Sequence, residues 1–155
     1  MKKFVFSLAS LMKVRENAKE RLTVEYAEAE NALNAALKKK KYLENSHALL
    51  CMEYENQAAG GVKPADIHAV KVYLEELQTQ IKAAAIEAKQ AKIKAENKRL
   101  ELAEVYKEIK ALEKLREKQY REYLAEAEKQ EVKIREDILA FNVTGGSNSG
   151  TGGIQ

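Results

Sequence analysis

Along most of the chain, apolar residues recur in steps of three and four. In a first tract Leu22, Tyr26, Ala29, Leu33, Ala36, Lys40, Leu43, His47, Leu50 and Tyr54 form one series. Upstream, Phe4, Leu8, Leu11 and Ala18 keep a similar rhythm, and the two steps of four at 18, 22 and 26 predict a local change of supercoil. In a second tract the series runs Ile67, Val70, Leu74, Leu77, Ile81, Ala84, Ala88, Ala91, Ala95, Lys98, Leu102, Val105, Ile109 and Leu112. It drifts near Arg116 and resumes as Tyr120, Leu124, Ala127, Glu131, Ile134, Ile138 and Phe141. Spacing of this kind places one apolar seam on a helix that packs against another helix.

Helix breakers separate the two tracts. The chain has seven glycines and one proline, and Gly60, Gly61 and Pro64 fall together in AAGGVKPADIH, while the other glycines lie from Gly145 onward. Glycine costs a helix interior about 1 kcal/mol relative to alanine and proline about 3. Their exclusion from the tracts therefore predicts two long helices, at about 3–58 and 65–142, joined by a turn at 59–64. Gly60 or Gly61 suits a left-handed helix end, Pro64 suits the first turn of the next helix, and Asp66 faces that helix's positive end. The predicted fold is all-α: an antiparallel two-helix coiled-coil hairpin over 1–144, with a longer second helix and a flexible Gly-rich C-terminal tail at 145–155.

Folding back at this turn pairs positions whose residue numbers add to about 124. Leu50 then meets Leu74, Leu43 meets Ile81, Ala36 meets Ala88, Ala29 meets Ala95, Leu22 meets Leu102 and Phe4 meets Tyr120. The alanine stretch lets the helix axes approach but buries little area. It is therefore the expected weak part of the hairpin, at about 25 cal/mol per Å² of apolar surface. The second helix extends some twenty residues, roughly 30 Å, past the start of the first. That overhang carries Leu124, Ala127, Ile134, Ile138 and Phe141 on one face. With Phe4, Phe6 and Leu8, it is the expected docking surface for another protein, and a homo-oligomeric seam is the alternative.

Composition narrows the function classes. Of 155 residues 33% are charged and 45% hydrophobic, with no tryptophan and three phenylalanines, which suits long helices better than a globular core. Lysine and arginine (27) nearly balance aspartate and glutamate (24), and the signs are interleaved, so net charge gives no push toward nucleic acid. The run Lys38 to Lys41 points around the whole helix circumference and reads as a solvated cluster, with an acidic protein partner as the next reading. The single Cys51 cannot form an internal disulfide and fits a reducing compartment. MKKFVFSLASLM imitates a signal peptide but runs into KVRENAKERL without a cleavage site, and there is no uncharged run long enough to span a membrane. A cytoplasmic protein is expected.

Catalytic patterns are missing: there is no phosphate-cradling glycine loop, no H-E-x-x-H and no cysteine pair. His47 and His68 flank the turn, yet two imidazoles without a third ligand make a poor zinc site. Cys51 reads as a small helical hydrophobe. The expectation is a non-enzyme without cofactor or metal.

Three stretches resemble the flagellar export protein FliJ family of bacterial type III secretion systems. They are KKFVFSLASLMKVRENAKERL, then GVKPADIHAVKVYLEELQTQI, and LEKLREKQYREYLAEAEKQEVKIREDILAF, in that order around a single turn. The family commonly ends with Asp then Glu, whereas Glu136 and Asp137 reverse that order. The resemblance implies a stalk similar to that of rotary ATPases. Such a stalk enters the export ATPase ring and promotes its assembly, contacts the cytoplasmic domain of the export gate and helps recycle export chaperones. It would meet the membrane only through protein partners. By position, the resemblance places Leu50, Tyr54, Tyr73 and Leu77 in the gate-binding part near the tip and leaves the joined termini to the ring. Leu50 and Leu77 are also seam residues. A generic coiled-coil spacer or self-associating structural protein is the alternative.

Overall fold

The computed structural model describes residues 2–61 and 63–148, the side chains of 146–148 excepted. Two helices, α1 (Ala9–Ala59) and α2 (Pro64–Asn148), account for almost all of it, and no strand occurs among the described residues. The architecture is the predicted all-α helical hairpin. Two compact units divide it, one comprising 16–106 and the other 1–15 with 107–155.

In the 16–106 unit the turn forms as its residue types dictate. Gly60 N–H donates to the Gln57 carbonyl, and Gly61 takes the positive φ of 81°. The Lys63 carbonyl then accepts from both Asp66 and Ile67 N–H, with Pro64 as the first residue of α2, where its missing N–H leaves no bond unmade. The helices run antiparallel in the expected register: Lys98 reaches Glu25 and Lys39 reaches Glu87, pairs whose numbers add to about 124. Leu22, Ala29, Leu77, Ala84, Ala88, Ala95 and Val105 are buried, and every other expected seam position from Tyr26 to Leu102 is half-buried. Ala84, the most enclosed of these at 2% exposure, sits in the alanine stretch, where a small side chain lets the opposing backbone close over it.

Upstream of Leu22 the seam departs from expectation. Leu11 is exposed and Met12 is buried, and the half-buried positions that follow include Arg15 and Lys19. Met12, Arg15, Lys19, Leu22 and Tyr26 form a series in which threes and fours alternate, while Ala18 is half-buried beside Lys19, so the expected steps of four at 18, 22 and 26 run alongside it. Two cations occupy seam positions because their alkyl stems cover apolar surface while each charge finds a partner. Lys19 Nζ lies 4.8 Å from the Tyr106 ring centre. Arg15 Nε stands 2.8 Å from Glu108 Oε2, an oxygen shielded from solvent that receives no aligned hydrogen bond, so this contact is charge pairing alone.

In the other unit α1 begins at Ala9, not near residue 3, with Met12 N–H donating to the Leu8 carbonyl as its first bond. Residues 2–6 are not helical. The local pattern explains this: Phe4 and Phe6 alternate with Val5, and in extended chain alternate side chains share one side. Phe6 is buried with Met12 and Leu112, while Phe4, Leu8 and Leu115 pack around them and Val5 is exposed. Gln119 closes the passage into α1, its Oε1 accepting from Ser7 N–H at 3.4 Å and its Nε2 donating to Ser7 Oγ at 2.9 Å.

The far end of α2 extends to Asn148 instead of stopping near residue 142. Glycine lowers helix propensity without forbidding helix, and Thr144 Oγ1 donates back to the Ala140 carbonyl at 3.0 Å. The predicted tail therefore starts inside the helix, and its remainder from residue 149 lies outside the described residues.

Candidate functional site: two protein-binding surfaces

The end surface is built on α2 beyond Leu112. Where α2 faces extended chain instead of a helix, heptad spacing no longer applies. Leu115, Gln119 and Tyr123 are half-buried and Ala127 is buried, in steps of four. This corrects the expected phase of Tyr120 and Leu124, each of which is a little under half exposed. Tyr120 nonetheless meets Phe4 as the register required, edge to face with ring centres 5.1 Å apart, and Tyr123 adds a second ring at 5.4 Å. Tyr123 also donates its hydroxyl hydrogen to the Lys2 carbonyl at 2.6 Å, fastening the start of the chain to α2. A shallow cleft lined by Phe4, Glu113, Arg116, Glu117 and Tyr120 opens beside this aromatic group.

The expected docking residues thus separate into two sets. Phe6 and Leu8 belong to an internal cluster, Phe4 is half-covered by tyrosine rings, and Ala127 is buried. Leu124, Ile134, Ile138 and Phe141 are exposed, and every residue from Glu128 to Gly145 is exposed with them. Val132, Leu139 and Val143, also exposed, form a second apolar line that the single-seam reading missed. At about 100° per residue each lies about 100° or more around the helix from both Ile134 and Ile138. The seven-residue step from Val132 to Leu139 is the signal that marks it.

The tip surface belongs to the 16–106 unit. Leu77 is buried, Leu50 and Tyr54 are half-buried, and Tyr73 is about half exposed. Leu50 and Leu77 thus serve the seam, while Tyr54 and Tyr73 offer ring surface to solvent. Near them Cys51 Sγ lies 3.8 Å from His47 Nδ1, a contact of neighbouring helical turns. Among the described residues no group of three metal-capable side chains assembles, and no helix is long and apolar enough to cross a membrane.

A family model described as the flagellar FliJ protein matches residues 4–141. The chain belongs to the FliJ family. The match spans both helices, the tip and most of the exposed end of α2, and FliJ membership makes the chain a flagellar export component. No curated protein and no solved structure matches it. Among the described residues of this FliJ-family chain the two surfaces differ in kind: the end offers a helix whose apolar side chains stand exposed among charged ones, and the tip offers aromatic rings on a packed seam.

Proposed function

We propose that this FliJ-family chain is a non-enzymatic stalk of the flagellar protein export apparatus. The exposed end of α2 packs into the export ATPase ring through Leu124, Ile134, Ile138 and Phe141 and promotes ring assembly and activity. Phe4, Phe6 and Leu8 act by holding the base of that end in shape. Near the tip, Tyr54 and Tyr73 contact the cytoplasmic domain of the export gate, with Leu50 and Leu77 supporting them from the seam. Export chaperones are the further partners, and the chain works in the cytoplasm, reaching the membrane through proteins only.

One observation carries the reading: α2 presents Ile134, Ile138 and Phe141 to solvent over a span that no other element among the described residues covers. Bare aliphatic and aromatic side chains in that number mark a surface that a partner covers. The test is ATPase and ring-assembly measurement on the purified export ATPase with and without the chain. Stimulation that disappears with Ile134→Asp and Phe141→Asp supports the stalk. No binding and no stimulation by the unaltered chain removes it, and a stable self-associated species in light scattering would favour the spacer reading.

A further inference from the structure

Charge is not spread evenly along the 16–106 unit. Residues 31–43 and 81–93, which lie opposite one another where residue numbers add to about 124, hold seven lysines and one glutamate, with no arginine or aspartate. That is a net +6 over 26 residues. Segments farther from the turn, 16–30 and 94–106, hold five cations and eight anions, a net −3. The segment around the turn, 44–80, holds two cations and six anions, a net −4. A lysine band thus crosses the middle of the unit between two acidic bands. At 1.5 Å per residue it is about 20 Å long.

Helix geometry sorts these lysines by side. Lys39 reaches Glu87 at 3.4 Å on one flank of the seam. Lys41 stands two residues from Lys39, about 200° around α1, and Lys82, Lys89 and Lys92 stand about 140–200° from Glu87 and within about 80° of one another. The four therefore share the opposite flank, where Lys41 and Lys82 face each other in register. All four are exposed, and none forms an ion pair among the described residues. Leu37, 48% exposed, lies among them, one turn before Lys41. Carboxylates close both ends of this flank, Glu44 toward the turn and Glu30 with Glu96 away from it. Each of these already has a partner: Lys40 at 3.8 Å, the Tyr26 hydroxyl at 3.0 Å and Arg99 at 2.6 Å.

We infer that this flank is a docking surface for a short acidic segment of another protein. Its carboxylates meet Lys41, Lys82, Lys89 and Lys92, and an apolar side chain sits over Leu37. Sign and length together select this occupant. A nucleic acid or an anionic membrane extends well past 20 Å and brings its phosphates onto the acidic bands at either side. A second copy offers only its own acidic bands, whose charge is thinner, three over 28 residues and four over 37. A helical segment of about 13 residues matches the length, and lysine heads on flexible stems reach its carboxylates without needing a fixed fork.

The test uses the full chain and a synthetic helical peptide of about 13 residues, rich in glutamate with one central leucine, followed by fluorescence anisotropy at low ionic strength. Comparison probes are the same peptide with lysine for glutamate, a version three times as long, a DNA duplex of about 20 base pairs and phosphatidylserine vesicles. The short acidic peptide is expected to bind at least tenfold tighter than its lysine counterpart, the duplex or the vesicles. The longer version should gain no more than about threefold, the statistical factor. Leu37→Asp and the pair Lys82→Glu with Lys89→Glu should each weaken binding tenfold or more with helicity by circular dichroism unchanged, while Lys39→Gln on the other flank changes it less than twofold. Tighter binding of the duplex or the vesicles, a tenfold gain with length, indifference to the Lys82 and Lys89 changes, or an equal loss from Lys39→Gln would overturn the inference. So would sedimentation showing a dimer that the Lys82 and Lys89 changes dissociate. No export component enters the experiment, so this surface and the stalk reading stand or fall separately.

Discussion

Lys98 Nζ donates to Glu25 Oε2 across 2.8 Å, joining a seam position of α2 to the flank of α1. Both side chains are about two-thirds or more covered, and Glu101 gives Lys98 a second, longer contact at 3.6 Å. The hydrogen bond from Lys98 is the largest influence on the Glu25 carboxyl and holds it below its ordinary value. The same bond is the largest influence raising Lys98. A seam lysine is thus tolerated because a carboxylate meets it.

The pair makes hairpin stability depend on pH in a defined direction. Glu25 has a lowered pKa in the folded state, so its contribution is present above the unfolded carboxylate value and fades as pH falls through the folded one. Lys98 is raised, so its contribution is complete below its unfolded value and fades only as pH climbs through the folded one. Glu25→Gln should therefore lower Tm across the neutral range, roughly pH 6 to 9, where both groups are charged in either state. The difference from the unaltered chain should shrink to nothing in acid. Thermal melts followed by circular dichroism over a pH series check this, and a difference that persists undiminished below about pH 3 would contradict it.

The two turn glycines should answer differently to the same substitution. At Gly61 a side chain meets open space, but the φ of 81° is one that L residues adopt at a cost of about 1 kcal/mol. At Gly60 an added Cβ would lie 3.6 Å from the Gln57 carbonyl oxygen and 3.7 Å from that of Asn56, which is ordinary contact at an ordinary φ. Gly61→Ala is expected to destabilise by about 1 kcal/mol, and Gly60→Ala to be neutral or slightly stabilising through a stiffer unfolded chain. Urea melts of the two variants distinguish them, and equal losses would mean the turn is set elsewhere.

The seam from Leu22 to Leu112 and its turn were legible in the sequence because heptad spacing and breaker placement report the same thing by independent physics. The register followed too, since Phe4 does meet Tyr120. What failed did so where a periodic rule was carried past its premise. Helical spacing links Phe4 to Leu8, although the alternation of Phe4 and Phe6 with Val5 fits extended chain. Heptad spacing puts Tyr120 and Leu124 on the seam although α2 there faces no helix among the described residues. Arg15 and Lys19 escape a rule that equates a seam with apolar side chains, and their partners Glu108 and Tyr106 lie some ninety residues away. At the candidate end surface, exposure of Ile134, Ile138 and Phe141 followed from counting residues beyond the start of the first helix. The second line through Val132 does not, because a heptad seam predicts a single stripe.

The extended start of the chain should behave as a fastened strap with unequal anchors. Phe6 is buried against Met12 and Leu112, so Phe6→Ala is expected to cost about 3 kcal/mol. Phe4 keeps part of its surface in water and gains mainly from its tyrosine contacts, so Phe4→Ala should cost about 1 kcal/mol. Tyr123→Phe removes the bond to the Lys2 carbonyl at an exposed site and should cost about 0.5 kcal/mol. Trypsin cleavage at Lys2 and Lys3 reports release of the strap directly. Faster cleavage in the order Phe6→Ala, Phe4→Ala, Tyr123→Phe is expected, and cleavage at the same rate in all three would remove the strap.

The exposed end of α2 allows stability and partner binding to be separated. Ile134 and Phe141 are exposed, so replacing either by aspartate exchanges one solvated side chain for another and should shift stability by no more than about 0.5 kcal/mol. If a ring of export ATPase covers them, each change places a carboxylate in an apolar contact, and ATPase stimulation should fall tenfold or more. Val132→Asp and Leu139→Asp extend the argument to the other side of the same helix. Insertion into a ring surrounds the helix, so these should reduce stimulation as strongly as Ile134→Asp does. Docking along one wall would leave them silent. Equal losses on both sides with unchanged melting curves therefore support insertion, loss on the Ile134 side alone limits the contact to a groove, and a fall in Tm matching the fall in activity would show that these side chains pack within the chain instead.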